Sequence, residues 1–248
     1  MTINRQTAPD IEFVKGINPV EPKYVTLDNG IPVYLINSAN QDLVKIELLF
    51  EAGKWYEEKP LVATFTSKML KEGTRSMTSG QIADRIDHYG AHLETSVDKD
   101  MGYISLYTLN KHLEQTLPVL ADVVMNPAFP AGELETLRQN RMQRFIVNNE
   151  KVRYLAKRKF NALIYGPKHP YGRIFEVEDF AGIRREDLVD FHESHYSARH
   201  CKIISAGNIR PDFIALLNKH FSGFLIQQTG FNPIGKISFP AVETGKNN

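Results

Sequence analysis

The sequence predicts an α+β fold, a mostly antiparallel sheet with helices packed on one face. Three observations predict it. Strand signals are grouped with strand signals before helices take over, unlike the regular alternation of a parallel α/β sheet. Two pairs of β-prone runs face each other across short polar turns, as hairpins do. The chain has 248 residues and 42% hydrophobic content, enough to bury a sizeable core in one or two domains.

The elements follow in order. Residues 1–20 are polar and contain proline, and read as an arm with little structure of its own. In "KYVTLDNGIPVYLI" two β-prone runs flank Asp28, Asn29 and Gly30, the composition of a tight hairpin turn. "LVKIELLF" is more continuously apolar, which suits a central strand. In "LVATFTSKMLKEGT", Leu61, Val62, Phe65, Met69 and Leu70 recur at helical spacing, and Gly73 follows as a helix-ending glycine does. Ser79 is read as the N-cap of a second helix running to about His88, which Gly90 ends. "AHLETSVD" and "GYISLYTL" alternate and form a hairpin closed around Asp98 to Asp100. A helix from about Lys111 to Met125 stops before Pro127, and a long helical segment runs from about Gly132 to Ile164 with a break near Asn148. Asp187 to Tyr196 is helical, "CKIISAG" is a strand, and Pro211 to Phe221 is a helix with proline in its first turn. This places a folded domain over residues 21–225. Residues 226–248 read as a linker or tail of Gly, Pro, Thr, Lys and Asn.

The 30 basic and 29 acidic side chains leave a formal net charge of +1, so nothing demands a nucleic-acid partner or a membrane surface. One cysteine, Cys201, excludes an internal disulfide framework and a multi-cysteine zinc site. No apolar run approaches the roughly 20 residues needed to span a bilayer. The start, "MTINRQTAPD", lacks the apolar core of a signal peptide, so the expectation is a cytoplasmic protein, with a trimmed signal peptide as the alternative.

The helix at residues 61–74 carries a second stripe. Thr64, Ser67, Lys68 and Lys71 are spaced i, i+3, i+4, i+7 and share one face. Three residues in that relation can grip a metal when they are ligands. Here they are two hydroxyls and two amines, and the plain reading is a solvated helix face.

The order of signals resembles the N-terminal half of the pitrilysin/insulinase peptidases, which include mitochondrial-processing-peptidase-like proteins. The resemblance runs from about residue 24 to residue 225. It rests on "LDNGIPVYL", "EAGKWYE", "MLKEGT", "IDHYGAHLETSVDKD", "LADVVMNPAFP", "HPYGR" and "DLVDFHESHYSARHCKIISAGNI". Active members of that family carry H-x-x-E-H on the first helix, with two His gripping zinc and the Glu activating a metal-bound water. Anchored on "MLKEGT", those positions are Thr64, Ser67 and Lys68. The family's third ligand, a Glu on a downstream helix, falls at Arg144, and a supporting Glu falls at Leu137. The resemblance therefore implies an inherited scaffold with a degenerate site, no catalytic residue and no zinc. It also implies a partner: a zinc-bearing homologous subunit, or a second similar domain beyond residue 248, closing with this half around a peptide. The "AHLETSVD" strand corresponds to the family strand along which substrates lie, so Glu94, Thr95 and Ser96 are peptide-binding candidates through backbone pairing.

Other groups carry weaker signals. His192 and His195 of "HESH" stand at i, i+3 with Glu193 between them, and His88, His92 and Glu94 cluster in "HYGAHLE". Both are conceivable metal sites, and capping, surface or connector roles are the plainer ones. Arg138, Arg141 and Arg144 repeat every three residues, and Lys151, Arg153, Lys157, Arg158 and Lys159 continue the basic trend. That is a solvated face or a contact for an acidic partner. The function expected is thus a catalytically inactive pitrilysin-type homologue. An active zinc endopeptidase with displaced ligands, such as His88 and His92, and a plain interaction module are the alternatives.

Overall fold

The turn at Asp28 to Gly30 shows how the sheet begins. In the computed structural model, strands β1 (Lys23–Thr26) and β2 (Pro32–Asn37) pair antiparallel, with Tyr24 opposite Tyr34. Gly30 N donates to the Leu27 carbonyl at 2.9 Å, with a φ of 85° that glycine enters without a Cβ penalty. The Asn29 amide then donates to the Phe221 carbonyl at 2.9 Å, tying the turn to the end of the fold. The structure describes residues 20–38 and 41–224, together with Gly16. The expected arm at residues 1–20 lies almost wholly outside these residues, and the expected tail at residues 226–248 lies outside them altogether.

Four more strands complete one sheet among the described residues: β3 (Leu43–Phe50), β4 (His92–Val97), β5 (Gly102–Leu109) and β6 (Cys201–Gly207). The order is β1-β2-β6-β3-β5-β4. Every neighbouring pair is antiparallel except β2 and β6, so the mostly antiparallel sheet is as expected. The central strand β3 sets Ile46 opposite both Leu106 and Ser205. Its side chains still alternate. Val44, Ile46, Leu48 and Phe50 are fully buried, whereas Lys45 and Glu47 face the other way and bond each other at 2.8 Å. A strand in the middle of a sheet buries one face when helices cover only one face.

Those helices are α1 (Val62–Met69), α2 (Ser79–His88), α3 (Leu113–Met125), α4 (Ala131–Asn149), α5 (Val152–Tyr165), α6 (Val177–Ala181), α7 (Arg185–His195) and α8 (Phe213–Phe221). The expected break near Asn148 is the junction of α4 and α5. The expected start at Lys111 is a short 3-10 turn, Asn110–His112, leading into α3. Pro211 lies just before α8 rather than inside its first turn. Helix α3 drives Leu113, Leu117, Leu120 and Val124 into the core at helical spacing, each fully buried. Burial of such side chains is worth about 1.5–3 kcal/mol apiece.

One cap differs from expectation. Ser79 is the first residue of α2, and the cap is Thr78. Thr78 Oγ1 accepts from Gln81 N at 3.3 Å, and Gln81 Oε1 accepts from Thr78 N at 2.9 Å. Two adjacent hydroxyl residues stand at the helix start, and the glutamine three residues after Thr78 decides between them.

The basic run along α4 and α5 is not one solvated face. Arg138 donates to the Ile183 carbonyl at 2.6 Å and pairs with Glu135. The Arg158 guanidinium lies 5.0 Å from the Phe145 ring and 5.6 Å from the Phe175 ring, a cation stacked among aromatics. Helix α5 has no buried residue, and Val152, Phe160 and Leu163 are 81%, 61% and 76% exposed. No helix among the described residues is long and apolar enough to cross a membrane.

Candidate functional site

Helix α1 packs against β4, α4 and α7, so its polar stripe meets protein rather than bulk water. Its start is held in an unusual way. Leu61, the residue before the helix, has a φ of 74°, left-handed for a buried leucine. The carboxylate of Glu57 accepts from Ala63 N at 3.1 Å and so satisfies a helix-end donor. Burial pushes the Glu57 carboxyl up to about 7, against the pull of the Ala63 and Leu61 amides and of Lys54 and Arg173.

This raised pKa has a stability consequence. A carboxyl whose folded pKa lies above its ordinary value of 4.5 favours the fold most below 4.5, and that contribution is lost as pH rises through about 7. Each tenfold change in proton affinity is worth roughly 1.4 kcal/mol, so the loss amounts to about 3 kcal/mol. Glu57→Gln keeps an acceptor for Ala63 N and removes the charge. The variant is expected to gain on the parent as pH is raised from 4.5 to 8, read from urea midpoints across that range. A constant difference between the two would show that the Glu57 carboxyl is not raised above its ordinary value in the fold.

The stripe itself departs from a solvated face. Ser67 is fully buried, and its hydroxyl reaches toward the buried Tyr196 hydroxyl without closing a hydrogen bond. Thr64 and Lys68 are half-buried. Lys68 Nζ donates to the Thr95 carbonyl of β4 at 2.7 Å. Burial first, and then the charges of Arg141 and Lys71, push the Lys68 ammonium below its usual range, while Glu94 and Glu72 pull the other way. The hydroxyls of Thr66, Ser67 and Thr95 are buried with no hydrogen-bond partner among the described residues.

Thr64 of α1 and Arg144 of α4 line the same cavity, of about 160 Å³. The spacing in sequence placed them only through the resemblance, and the fold brings them together. Lys54, from the 3-10 turn Lys54–Tyr56, and Arg141 also line it. In the sequence Arg141 stands out only as part of a basic repeat, and Lys54 not at all, since its neighbourhood serves merely as an anchor for the resemblance. Burial, and then the adjacent Arg144, hold the Arg141 guanidinium below its usual range. Leu137, one stretch earlier on α4, packs against the core.

Zinc is held by imidazole, thiolate or carboxylate. A threonine hydroxyl, an ammonium and two guanidiniums are none of these, and the cations would repel a dication. The residues present do not fit zinc. The other histidines do not assemble a substitute. His192 Nε2 bonds the Val124 carbonyl at 2.8 Å, and His195 Nδ1 bonds the Glu51 carbonyl at 3.0 Å. Burial pushes both rings down to about 4, so they are neutral structural imidazoles. His88 is exposed at the end of α2 with its ring against Tyr89, and His92 is exposed on β4. No group of three or more His, Cys, Asp or Glu among the described residues could hold a metal ion.

Strand β4 is one edge of the sheet among the described residues, next to β5 alone, and β1 is the other. Glu94 and Ser96 point out and are exposed, whereas Thr95 is buried. The expected peptide strand is therefore open along one side.

The comparisons with known proteins agree with this architecture. A family model for insulinase, peptidase family M16, matches residues 32–166, and a model for the peptidase M16 inactive domain matches residues 182–246. An uncharacterized zinc protease from Rickettsia felis is 26% identical over 192 residues, which is 76% of this chain and 46% of that protein. Mitochondrial-processing peptidase subunit beta from Rattus norvegicus is 25% identical over 241 residues, 92% of this chain and 46% of that protein. A crystal structure of a peptidase M16 inactive domain from Pseudomonas fluorescens matches with a TM-score of 0.77 and 25% identity, over 82% of this chain and 50% of that one. The chain spans about half the length of the curated relatives it matches. With the first family model alone covering more than half of its 248 residues, the chain belongs to the insulinase family of peptidases, family M16.

Proposed function

We propose that this chain is a non-catalytic, peptide-holding half of an M16-type assembly. The observation that carries the reading is the chemistry on α1 and α4. Thr64, Ser67, Lys68 and Arg144 stand where the resemblance puts two ligands, a base and a third ligand, and they supply neither a Lewis acid site nor a base. What the fold retains is the open edge of β4, which pairs with an extended peptide through backbone groups and needs no metal. Glu94 and Ser96 flank that edge.

In this reading the working unit is a pair of similar halves, the other bearing zinc. The second half is a separate subunit or a domain to which residues 226–248 lead. Helix α5 supports a mating face. Val152, Phe160 and Leu163 expose an apolar surface with Arg153, Lys157 and Lys159 around it, and such patches mark protein contacts. A stable pair typically buries on the order of 1,200–2,000 Å² in total, and the cations would steer an acidic rim.

The test has two parts. The purified chain is expected to carry no stoichiometric zinc by elemental analysis, and to leave fluorogenic peptides uncut. Zinc that a chelator strips, together with turnover that tracks the protein on a column, would overturn the reading. Co-expression with a zinc-motif relative, followed by size exclusion with light scattering, is expected to give a 1:1 complex. A monomer beside a fully active relative would leave the plain interaction module as the better reading.

A further inference from the structure

The cavity between α1 and α4 is cationic and electrostatically incomplete. Lys54, Arg141 and Arg144 line it, and no lining residue is acidic. Among the described residues neither Arg141 nor Arg144 has a hydrogen bond or an ion pair, and each is left facing the other's charge. On α4 itself Arg138 is partnered by Glu135 and the Ile183 carbonyl, and on α5 Arg158 is partnered by Asn149 and the Phe175 carbonyl, whereas the exposed Arg153 has no such partner among the described residues. Two guanidiniums without a partner thus line one cavity whose wall also includes the buried Phe65 and Phe145. Arg141 is half-buried and beside a like charge, a placement that an anion would relieve, while Arg144 stands exposed at the mouth where an incoming anion can reach it.

The dimensions and the neighbourhood narrow the anion. About 160 Å³ is well below the 300–1,000 Å³ of a cofactor or nucleotide pocket, and suits a short side chain. Thr64, on the cavity wall, is one helical turn from Lys68, whose ammonium already rests on the Thr95 carbonyl of the β4 edge. A strand paired on that edge would run about one helical turn from the cavity wall, within reach of a side chain, and it projects alternate side chains. A carboxylate takes two parallel bonds from a guanidinium, which a single hydroxyl or amide does not.

We infer that the α1–α4 cavity is a carboxylate-recognition subsite, in which an extended peptide laid on β4 places an Asp or Glu side chain against Arg141 and Arg144. The inference rests on the peptide-holding reading above and names the class of peptide it would take, an acidic one. Where zinc would need neutral or anionic donors, this chain presents cations, and so reverses the charge of the guest the site can take.

Fluorescence anisotropy with the full chain tests it. The probes are labelled ten-residue peptides of one sequence, with both ends blocked and Glu, Gln or Lys at a central position scanned along the peptide. At low salt the Glu peptide is expected to bind at least tenfold more tightly than the Gln peptide, with the Lys peptide weakest. In Arg141→Gln/Arg144→Gln the Glu-to-Gln ratio is expected to fall to about one, with the fold checked by circular dichroism. Should that double variant misfold, Arg144→Gln alone, at an exposed position, is expected to cut the ratio severalfold. Equal binding of Glu and Gln peptides overturns the subsite and leaves the edge reading standing. Glutarate that raises the melting temperature of the parent and not of the variant, with no peptide bound, supports the subsite and overturns the edge reading. No response to any peptide or to glutarate overturns both. A Gln peptide with a free C-terminus that matches the blocked Glu peptide assigns the cavity to a chain-terminal carboxylate and overturns the side-chain assignment.

Discussion

The variant Thr64→His, Lys68→His, Arg144→Glu is expected to take up one zinc ion per chain, where the parent takes up none. Thr64 and Lys68 are i and i+4 on α1 and project from one face. Thr64 and Arg144 already line one cavity, and residue 68, one helical turn from Thr64 on the same face, is the third position expected to reach the ion. The substitutions also remove two of the cations that oppose a dication, and leave Arg141 and Lys54 as the residual repulsion. Ser67 is left alone for a reason the structure supplies. It is fully buried, and a glutamate there would place an unpaired carboxylate in the core at a cost of several kcal/mol. Without that residue no base is installed, so zinc uptake without peptide hydrolysis is the expected pair of results. Binding at free zinc a hundredfold above Kd would add about 2.7 kcal/mol to stability, which a chelator should remove. The measurements are elemental analysis after gel filtration and melting temperature with and without zinc. A folded variant that takes up no zinc would mean that α1 and α4 do not present these three positions to one point.

The elements legible in the sequence were those with a strong local period. Helix α1 declared itself by apolar residues at helical spacing and by Gly73 after them, β3 by its apolar run, and the first hairpin by Asn29 and Gly30. Order in the sheet was not legible. Strand β6 inserts between β2 and β3 and pairs parallel with β2, a long-range choice that no local pattern encodes. The polar stripe of α1 misled for a related reason. Periodicity tells which residues share a face, and not what that face meets, so Ser67 looked solvated and is fully buried. The candidate site was legible in part. The family resemblance pointed to Thr64, Ser67, Lys68 and Arg144, but the third cation of the cavity, Lys54, comes from a 3-10 turn far from α4 in sequence, inside a motif that gave it no role. The left-handed Leu61 was equally hidden, since a leucine gives no signal for a conformation that glycine would enter freely.

Gly207→Ala is expected to be the most destabilising single methyl addition in the sheet, costing about 4 kcal/mol or more and leaving little of a typical 5–15 kcal/mol fold. Two independent penalties coincide there. Gly207 has a φ of 128°, a backbone conformation that side-chain-bearing residues rarely adopt. A Cβ at that position would lie 2.2 Å from the Leu43 carbonyl oxygen and 3.1 Å from Val44 Cα, so it meets backbone and not a side chain that can swing away. The clash cannot be relieved by moving either strand. Gly207 is paired with Val44 of β3 on one side and with Asn37 of β2 on the other, and its carbonyl accepts from Ser38 N at 2.8 Å. Shifting β6 therefore loosens the junction that joins the two halves of the sheet. Gly80 is the control. It lies in α2 with no left-handed backbone, and an added methyl there would meet nothing within 4 Å. Gly80→Ala should therefore stabilise by about 0.5–1 kcal/mol through helix propensity. Urea denaturation followed by circular dichroism reads both. If Gly207→Ala unfolded at the parent's midpoint, the close approach of β6 to β3 at Leu43 would be wrong, and with it the register that seats β3 at the centre of the sheet.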